Sequence, residues 1–146
     1  MTNEQNLYGM PNMGCMLGTA YQALVSELSS ALSASGADIS VPEYLILRAL
    51  YTRDGMQQCE IGAIISKDKG AISRCVASME RKGLVRTEAV SHKCLKVYLA
   101  EKGRKLEPTI SSVAQERHSA LESMLTPDEM TTFATVLRKI IQQHNK

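Results

Sequence analysis

Apolar residues return every three or four positions from Met13 to Leu32 (Met13, Met16, Leu17, Ala20, Leu24, Leu28, Leu32), the repeat of one helix face, and Gly36 ends the run. Ser40, Pro42 and Glu43 then form a Ser-x-x-Glu capping box with proline in the first turn, which starts a second helix carrying Tyr44, Leu45, Leu47, Ala49, Leu50 and Tyr51. Asp54-Gly55 is a turn, and Glu60 to Ile65 predicts a short helix ending around Ser66. A further helix is expected from about Lys69 to Lys82, with Asp68 as its N-cap and Gly83 as its stop. Its inner face is Ile72, Val76 and Met79, with Cys75 alongside, while Ser73, Arg74, Ala77, Ser78 and Arg81 fall on the other faces.

After Gly83 the period changes. Leu84 to Val90 and Cys94 to Leu99 read as two strands joined through Ser91, His92 and Lys93, a hairpin with a basic tip. Two helical runs follow: Leu106, Ile110, Val113, Leu121, Met124 and Leu125, then Met130, Phe133, Val136, Leu137, Ile140 and Ile141. Thr126-Pro127-Asp128-Glu129 between them is a second capping box and the firmest boundary in the chain. The expected fold is therefore mainly α with a small β-hairpin: a winged helix-turn-helix over residues 40–103, flanked by N- and C-terminal helices at 13–35 and 104–146. At 146 residues this is one domain, 1–146.

Composition narrows the class. Hydrophobic residues are 44% and charged residues 22%, ordinary globular usage, and with one Phe and no Trp the core must be aliphatic. A small helical chain of this kind gains buried area by pairing with a second copy, so a homodimer is expected. The charge-free run from Gln5 to Ser26 is diluted by Asn6, Pro11, Asn12 and Gln22, and the first basic residue is Arg48. Neither a membrane span nor a secretory signal fits, and a cytoplasmic protein is expected.

Net charge is only +2, but its distribution is informative. Lys67, Lys69, Arg74, Arg81, Lys82, Arg86, Lys93 and Lys96 face only Asp68, Glu80 and Glu88 in the same thirty residues, so that window carries +5 and the rest of the chain −3. An anionic partner is expected at mid-chain. A helix entering the major groove needs small residues where it meets the DNA backbone and hydrogen-bonding residues toward the base edges. Gly70, Ala71, Ser73, Arg74 and Ser78 supply those types, with Lys69 at the helix start. Lys82 and Arg86 are placed for phosphates, and His92 and Lys93 at the wing tip for an adjacent minor groove. Double-stranded DNA is the partner these residues predict.

These segments resemble the MarR family of bacterial and archaeal regulators. The likeness lies in Glu60-Ile61-Gly62-Ala63-Ile64-Ile65, in Ile72-Ser73-Arg74, in Met79-Glu80-Arg81-Lys82-Gly83-Leu84-Val85-Arg86, and in Val97-Tyr98-Leu99-Ala100-Glu101-Lys102-Gly103. The resemblance implies a homodimer with interlocking terminal helices and two recognition helices on a pseudo-palindromic operator. It also implies release by a small-molecule effector or an oxidant acting in the crevice between dimerisation and DNA-binding parts, and most often repression. There are departures. Family wings usually carry Asp-Arg-Arg where this chain has Ser91, His92 and Lys93, and Ser66 and Lys67 stand where a Gly and an apolar residue are usual. Ala100 replaces the usual capping Thr, and Pro108 predicts a kink or break near Glu107.

Other chemistry is thinner. Cys15 lies near the position of the peroxidatic cysteine in the hydroperoxide-sensing branch of the family, which makes a thiol-based oxidant sensor the alternative; a buried structural thiol is the expectation. Cys94, beside Lys93, is expected to be exposed and reactive. With no CxxC pair and no His at ligand spacing, no metal is expected among Cys15, Cys59, Cys75 and Cys94. No nucleophile has an acid or His partner at a recognisable spacing and no Gly-rich phosphate loop occurs, so neither an enzyme nor a cofactor is expected. A winged helix can also be a protein-interaction module, but Lys, Arg and Ser on the recognition face favour nucleic acid.

Overall fold

The computed structural model describes residues 12–65 and 67–145; the start of the uncharged run, the turn position Ser66 and Lys146 lie outside them. The elements in order are α1 (Met13–Ala34), α2 (Val41–Thr52), β1 (Met56–Gln57), α3 (Gln58–Ile65), α4 (Lys69–Arg81), β2 (Val85–Ser91), β3 (Cys94–Leu99), α5 (Glu101–Lys105), α6 (Glu107–Glu122) and α7 (Pro127–His144). Two compact units divide between Ser111 and Ser112.

In the first unit the helix ends are set locally. Ser40 accepts from the Glu43 amide while Glu43 accepts from the Ser40 amide, which completes the capping box of α2. Asp68 caps α4 by accepting from the Ala71 amide at 2.8 Å. Gly36 and Gly83, both at positive φ, turn the chain out of α1 and α4. Ile46, Leu47 and Leu50 of α2 meet Ile61 of α3 and Ile72, Val76 and Met79 of α4 in one aliphatic core. Leu84, Val85, Val97 and Leu99 close it from the sheet.

That sheet has three strands in the order β1-β3-β2, all antiparallel, where the sequence indicated a two-stranded hairpin. The third strand is only Met56 and Gln57, paired with Val97 and Lys96, and its inward residue Met56 is buried. Asp54 ties the preceding turn to the base of the wing: its carboxylate accepts from the Leu99 amide and from Arg104, each at 2.8 Å. A bulge between Ala89 and Ser91 ends the regular ladder at the wing tip.

The break expected near Glu107 is present. α5 ends at Leu106, and α6 restarts at Glu107 with Pro108 in its first turn, where its missing N–H costs nothing. Ala100 caps α5 without a side-chain hydrogen bond. The helix is anchored instead by Gly103, where an added Cβ would lie 2.2 Å from the Leu84 carbonyl oxygen, and by Tyr51, whose hydroxyl donates to the Gly103 carbonyl at 2.6 Å. Burial, with the Glu107 charge, pushes the Tyr51 hydroxyl up to about 12, so it stays a donor.

The second unit holds the end of α6 and all of α7, which starts at the predicted Thr126 capping box. No residue of α7 is buried, and Val136, Ile140 and Ile141 stand exposed. On α1 the same holds for Met13, Leu17, Tyr21 and Leu24; Leu32 is that helix's buried residue.

Candidate nucleic-acid interface

α3 and α4 are the two helices of the helix-turn-helix, joined by a short turn in which the Lys67 amide donates to the Gly62 carbonyl at 3.1 Å. Gly62 is where the turn comes closest, with an added Cβ 3.1 Å from the Lys67 carbonyl oxygen. α3 is held at its start by Glu60, which accepts from the Gln57 amide and pairs with Arg53. The Arg53 hydrogen bond, then the Gln57 amide, keep the Glu60 carboxyl below its ordinary range.

Because Ile72, Val76 and Met79 are buried, α4 turns Lys69, Gly70, Ser73, Arg74 and Ala77 to the outside, with Ala71 half-buried. The Arg74 guanidinium lies back over Gly70: a Cβ there would be 3.2 Å from its Nη1. Gly70 therefore provides clearance for Arg74 as well as a smooth surface at the helix start. These exposed donors, on a helix with no carboxylate in its first turn, suit a polyanion.

Ser78 and Lys82 do not share that outward role. The Ser78 hydroxyl donates to Glu43 Oε2 at 3.2 Å, and Lys82 Nζ donates to Glu43 Oε1 at 2.8 Å and to the Asp38 carbonyl at 3.0 Å. Glu43 is the one buried charged residue described, 2% exposed. Burial acts to raise its pKa, but Lys82, the Ser40 amide and Ser78 together outweigh that and leave it lowered, so it is ionised. One carboxylate thus joins the start of α2 to the end of α4 and fixes the recognition helix on the core. Sequence reasoning missed Glu43 as a functional position. The signal was available: Glu43 stands three, four and seven residues before Ile46, Leu47 and Leu50, on the buried face of α2.

On the wing, Arg86 lies opposite Tyr98 in the strand register and over its ring, 4.4 Å from the centroid, with Glu88 at 3.8 Å. It is exposed but held against the sheet. His92 and Lys93 are exposed at the tip, where the Lys93 amide donates to the Ser91 hydroxyl. Cys94 is half-buried rather than exposed, because it begins the ladder opposite Ser91. Cys15 is exposed in the chain, where a buried thiol was expected: it lies in the first turn of α1, of which only Leu32 is buried. The four cysteines are free. Cys75 is half-buried behind α4, and its thiol is pushed up to about 11 by burial and then by the Glu43 charge, so it is no nucleophile at neutral pH. Among the described residues no group of three or more His, Cys, Asp or Glu could hold a metal ion, and no helix is long and apolar enough to cross a membrane.

Comparison with known proteins agrees with this geometry. Residues 37–93, from just before α2 to the wing tip, match the MarR family. The chain is 24% identical over 106 residues to the transcriptional regulator HosA of Escherichia coli O157:H7, covering 71% of this chain and 78% of that protein. Among solved structures it is similar to MepR of S. aureus, crystallised as a DNA complex, with a TM-score of 0.83 at 20% identity over 92% of this chain and 98% of the other. It is also similar to CouR of Rhodococcus jostii RHA1, bound to p-coumaroyl-CoA, with a TM-score of 0.76 at 19% identity, covering 88% and 91% of the two chains.

Proposed function

We propose that the chain, whose residues 37–93 match the MarR family, is a homodimeric repressor of that family that reads a pseudo-palindromic operator with α4 and is released by a small ligand. The observation that carries the DNA reading is the outward face of α4, where Lys69, Gly70, Ser73 and Arg74 stand exposed beside a wing tipped by His92 and Lys93. In this reading Ser73 and Arg74 face base edges, with Gly70 and Ala71 at the close approach. Lys69, Arg86, His92 and Lys93 meet phosphates or the minor groove. Ser78 and Lys82 serve the same surface from behind, through Glu43. The MepR complex supports DNA as the partner, and the CouR complex supports a small-molecule effector.

Dimerisation is supported by the exposed apolar residues of the terminal helices, Met13, Leu17, Tyr21 and Leu24 on α1 and Val136, Ile140 and Ile141 on α7. Several large side chains left in water on amphipathic helices need a cover, and a second copy provides one with two-fold symmetry. A two-fold pair places its recognition helices about one DNA turn, roughly 34–36 Å, apart. The test is a DNase I footprint on the DNA upstream of the protein's own gene, with sedimentation of the free protein. Two protected half-sites about 10 base pairs apart, centre to centre, and a dimer are expected; a monomer or a single short protected stretch would overturn the symmetric reading.

A further inference from the structure

Two of the chain's four thiols share one hollow with three of its lysines. A cavity of about 630 Å³ opens between α3, the first turn of α4 and the wing tip, and Cys59, Cys94, Lys67, Lys69 and Lys93 all line it. Were it round, such a space would be about 11 Å across, and the flexible four-carbon stem of a lysine sweeps about 6 Å. Lys93 and Cys94 are also consecutive: Ser91 pairs with Cys94, so His92 and Lys93 form a two-residue turn and the thiol starts the strand beside it. Among the described residues none of the three lysines is held in an ion pair. Asp68, between Lys67 and Lys69, caps α4 by accepting from the Ala71 amide and lies outside the lining. The other two thiols lack this combination. Cys15 lies on α1, a helix with no basic residue, and burial and the Glu43 charge push the Cys75 thiol up to about 11.

We propose that this hollow is a self-acylation site: Cys59 or Cys94 takes the acyl group of a small thioester, and a lysine lining the same space takes it from the cysteine. In the first step the cysteine sulfur attacks the thioester carbonyl, its S–C bond forms as that of the incoming thioester breaks, and the departing thiol leaves with the cysteine's proton. In the second, a lysine whose ammonium has given a proton to water attacks the cysteine thioester. An amide N–C bond forms, the S–C bond breaks, and the restored cysteine thiol takes the amine's proton, with nothing oxidised or reduced. Sharing a cavity makes this second step intramolecular. Ala63, Ile72, Ala89 and Leu95 supply apolar wall for the hydrocarbon of the acyl group. An amide at Lys69 or Lys93 removes a positive charge from the surface assigned to DNA. That consequence rests on the DNA reading above; the acyl transfer does not.

The test incubates the unaltered protein with the neutral thioester S-acetyl-N-acetylcysteamine at pH 8 and maps acetyl groups over time by mass spectrometry. Lys67, Lys69 and Lys93 together are expected to gain acetyl groups at least fivefold faster per residue than the exposed Lys102 and Lys139, after a hydroxylamine-labile acetyl group has appeared on Cys59 or Cys94. Equal rates at the two sets of lysines overturn the site. In the double variant Cys59→Ser, Cys94→Ser the cavity lysines are expected to fall to the rate of the others; an undiminished rate means that they react directly, which overturns the relay. Reversible capping of the thiols with methyl methanethiosulfonate makes the same comparison in the unaltered chain, so the outcome does not depend on the variant folding. Acetylated protein is then titrated with upstream DNA at several salt concentrations. The slope of log affinity against log salt should shrink by about 0.9 for each acetylated lysine that meets a phosphate. Unchanged slope and affinity overturn the consequence for DNA alone. A protein that binds no DNA before acetylation fails the DNA reading, and that consequence with it, while the acetylation map stands.

Discussion

Removing Lys82 should cost more stability than removing the charge it neutralises. Lys82→Met leaves the Glu43 carboxyl, 2% exposed in the unaltered chain, with only the Ser40 amide and the Ser78 hydroxyl as partners. Breaking a fully buried pair costs about 3–5 kcal/mol and an exposed one below about 1 kcal/mol. With the Lys82 side chain 30% exposed and that of Glu43 3% exposed, about 2–3 kcal/mol is expected. Glu43→Gln differs: its amide oxygen still accepts from Ser40, and Lys82 keeps the Asp38 carbonyl and reaches water, so about 1 kcal/mol is expected. The assay is urea unfolding of the three proteins at fixed concentration from pH 7 to pH 3.5. Because Glu43 titrates lower folded than unfolded, its contribution is present above the ordinary carboxylate range and is lost as pH falls through the lowered value. The gap between wild type and Glu43→Gln should therefore close toward acid. Equal losses for Lys82→Met and Glu43→Gln, or a gap independent of pH, would refute a buried ionised Glu43.

Three further outcomes follow from the geometry. Arg74→Ala should weaken operator binding by about 1–3 kcal/mol for each bidentate hydrogen-bond pair to a base that it removes, and should relax sequence preference; unchanged affinity in anisotropy titrations would remove Arg74 from the interface. Gly103→Ala forces a methyl group against the Leu84 carbonyl and should destabilise by about 1–3 kcal/mol in urea unfolding, and a neutral result would mean that α5 shifts freely. If the exposed Cys15 thiol senses oxidants, Cys15→Ser should abolish release from DNA by peroxide, whereas an equal response in both proteins would end the oxidant-sensing alternative.

The helix boundaries were legible because their determinants are local. Ser40, Asp68 and Thr126 each cap within three residues, and Gly36 and Gly83 each sit at the positive φ their turns require. Pro108 announced the break before α6 in the same way. What escaped depended on partners distant in sequence. β1 is two residues long and exists through pairing with Val97 and Lys96, about forty residues on, so no local pattern marks it. Ser78 and Lys82 look outward on a helical wheel, yet a carboxylate 35 and 39 residues earlier turns their polar ends inward. Gly103 was legible as part of a motif, and its reason, close approach to Leu84, required the packed sheet. The cavity beneath the wing tip escaped for the same cause, since α3, α4 and both wing strands contribute to it.

The most direct test of α4 as a sequence-reading surface is fluorescence anisotropy of the unaltered protein on DNA from upstream of its own gene and on a scrambled duplex, each at several salt concentrations. If a dimer neutralises about eight phosphates, log affinity should fall against log salt with a slope near about −7 on the upstream DNA, which should bind at least about 10³-fold tighter than the scrambled duplex. Weak and equal binding to both duplexes, in protein freed of small molecules, would contradict it.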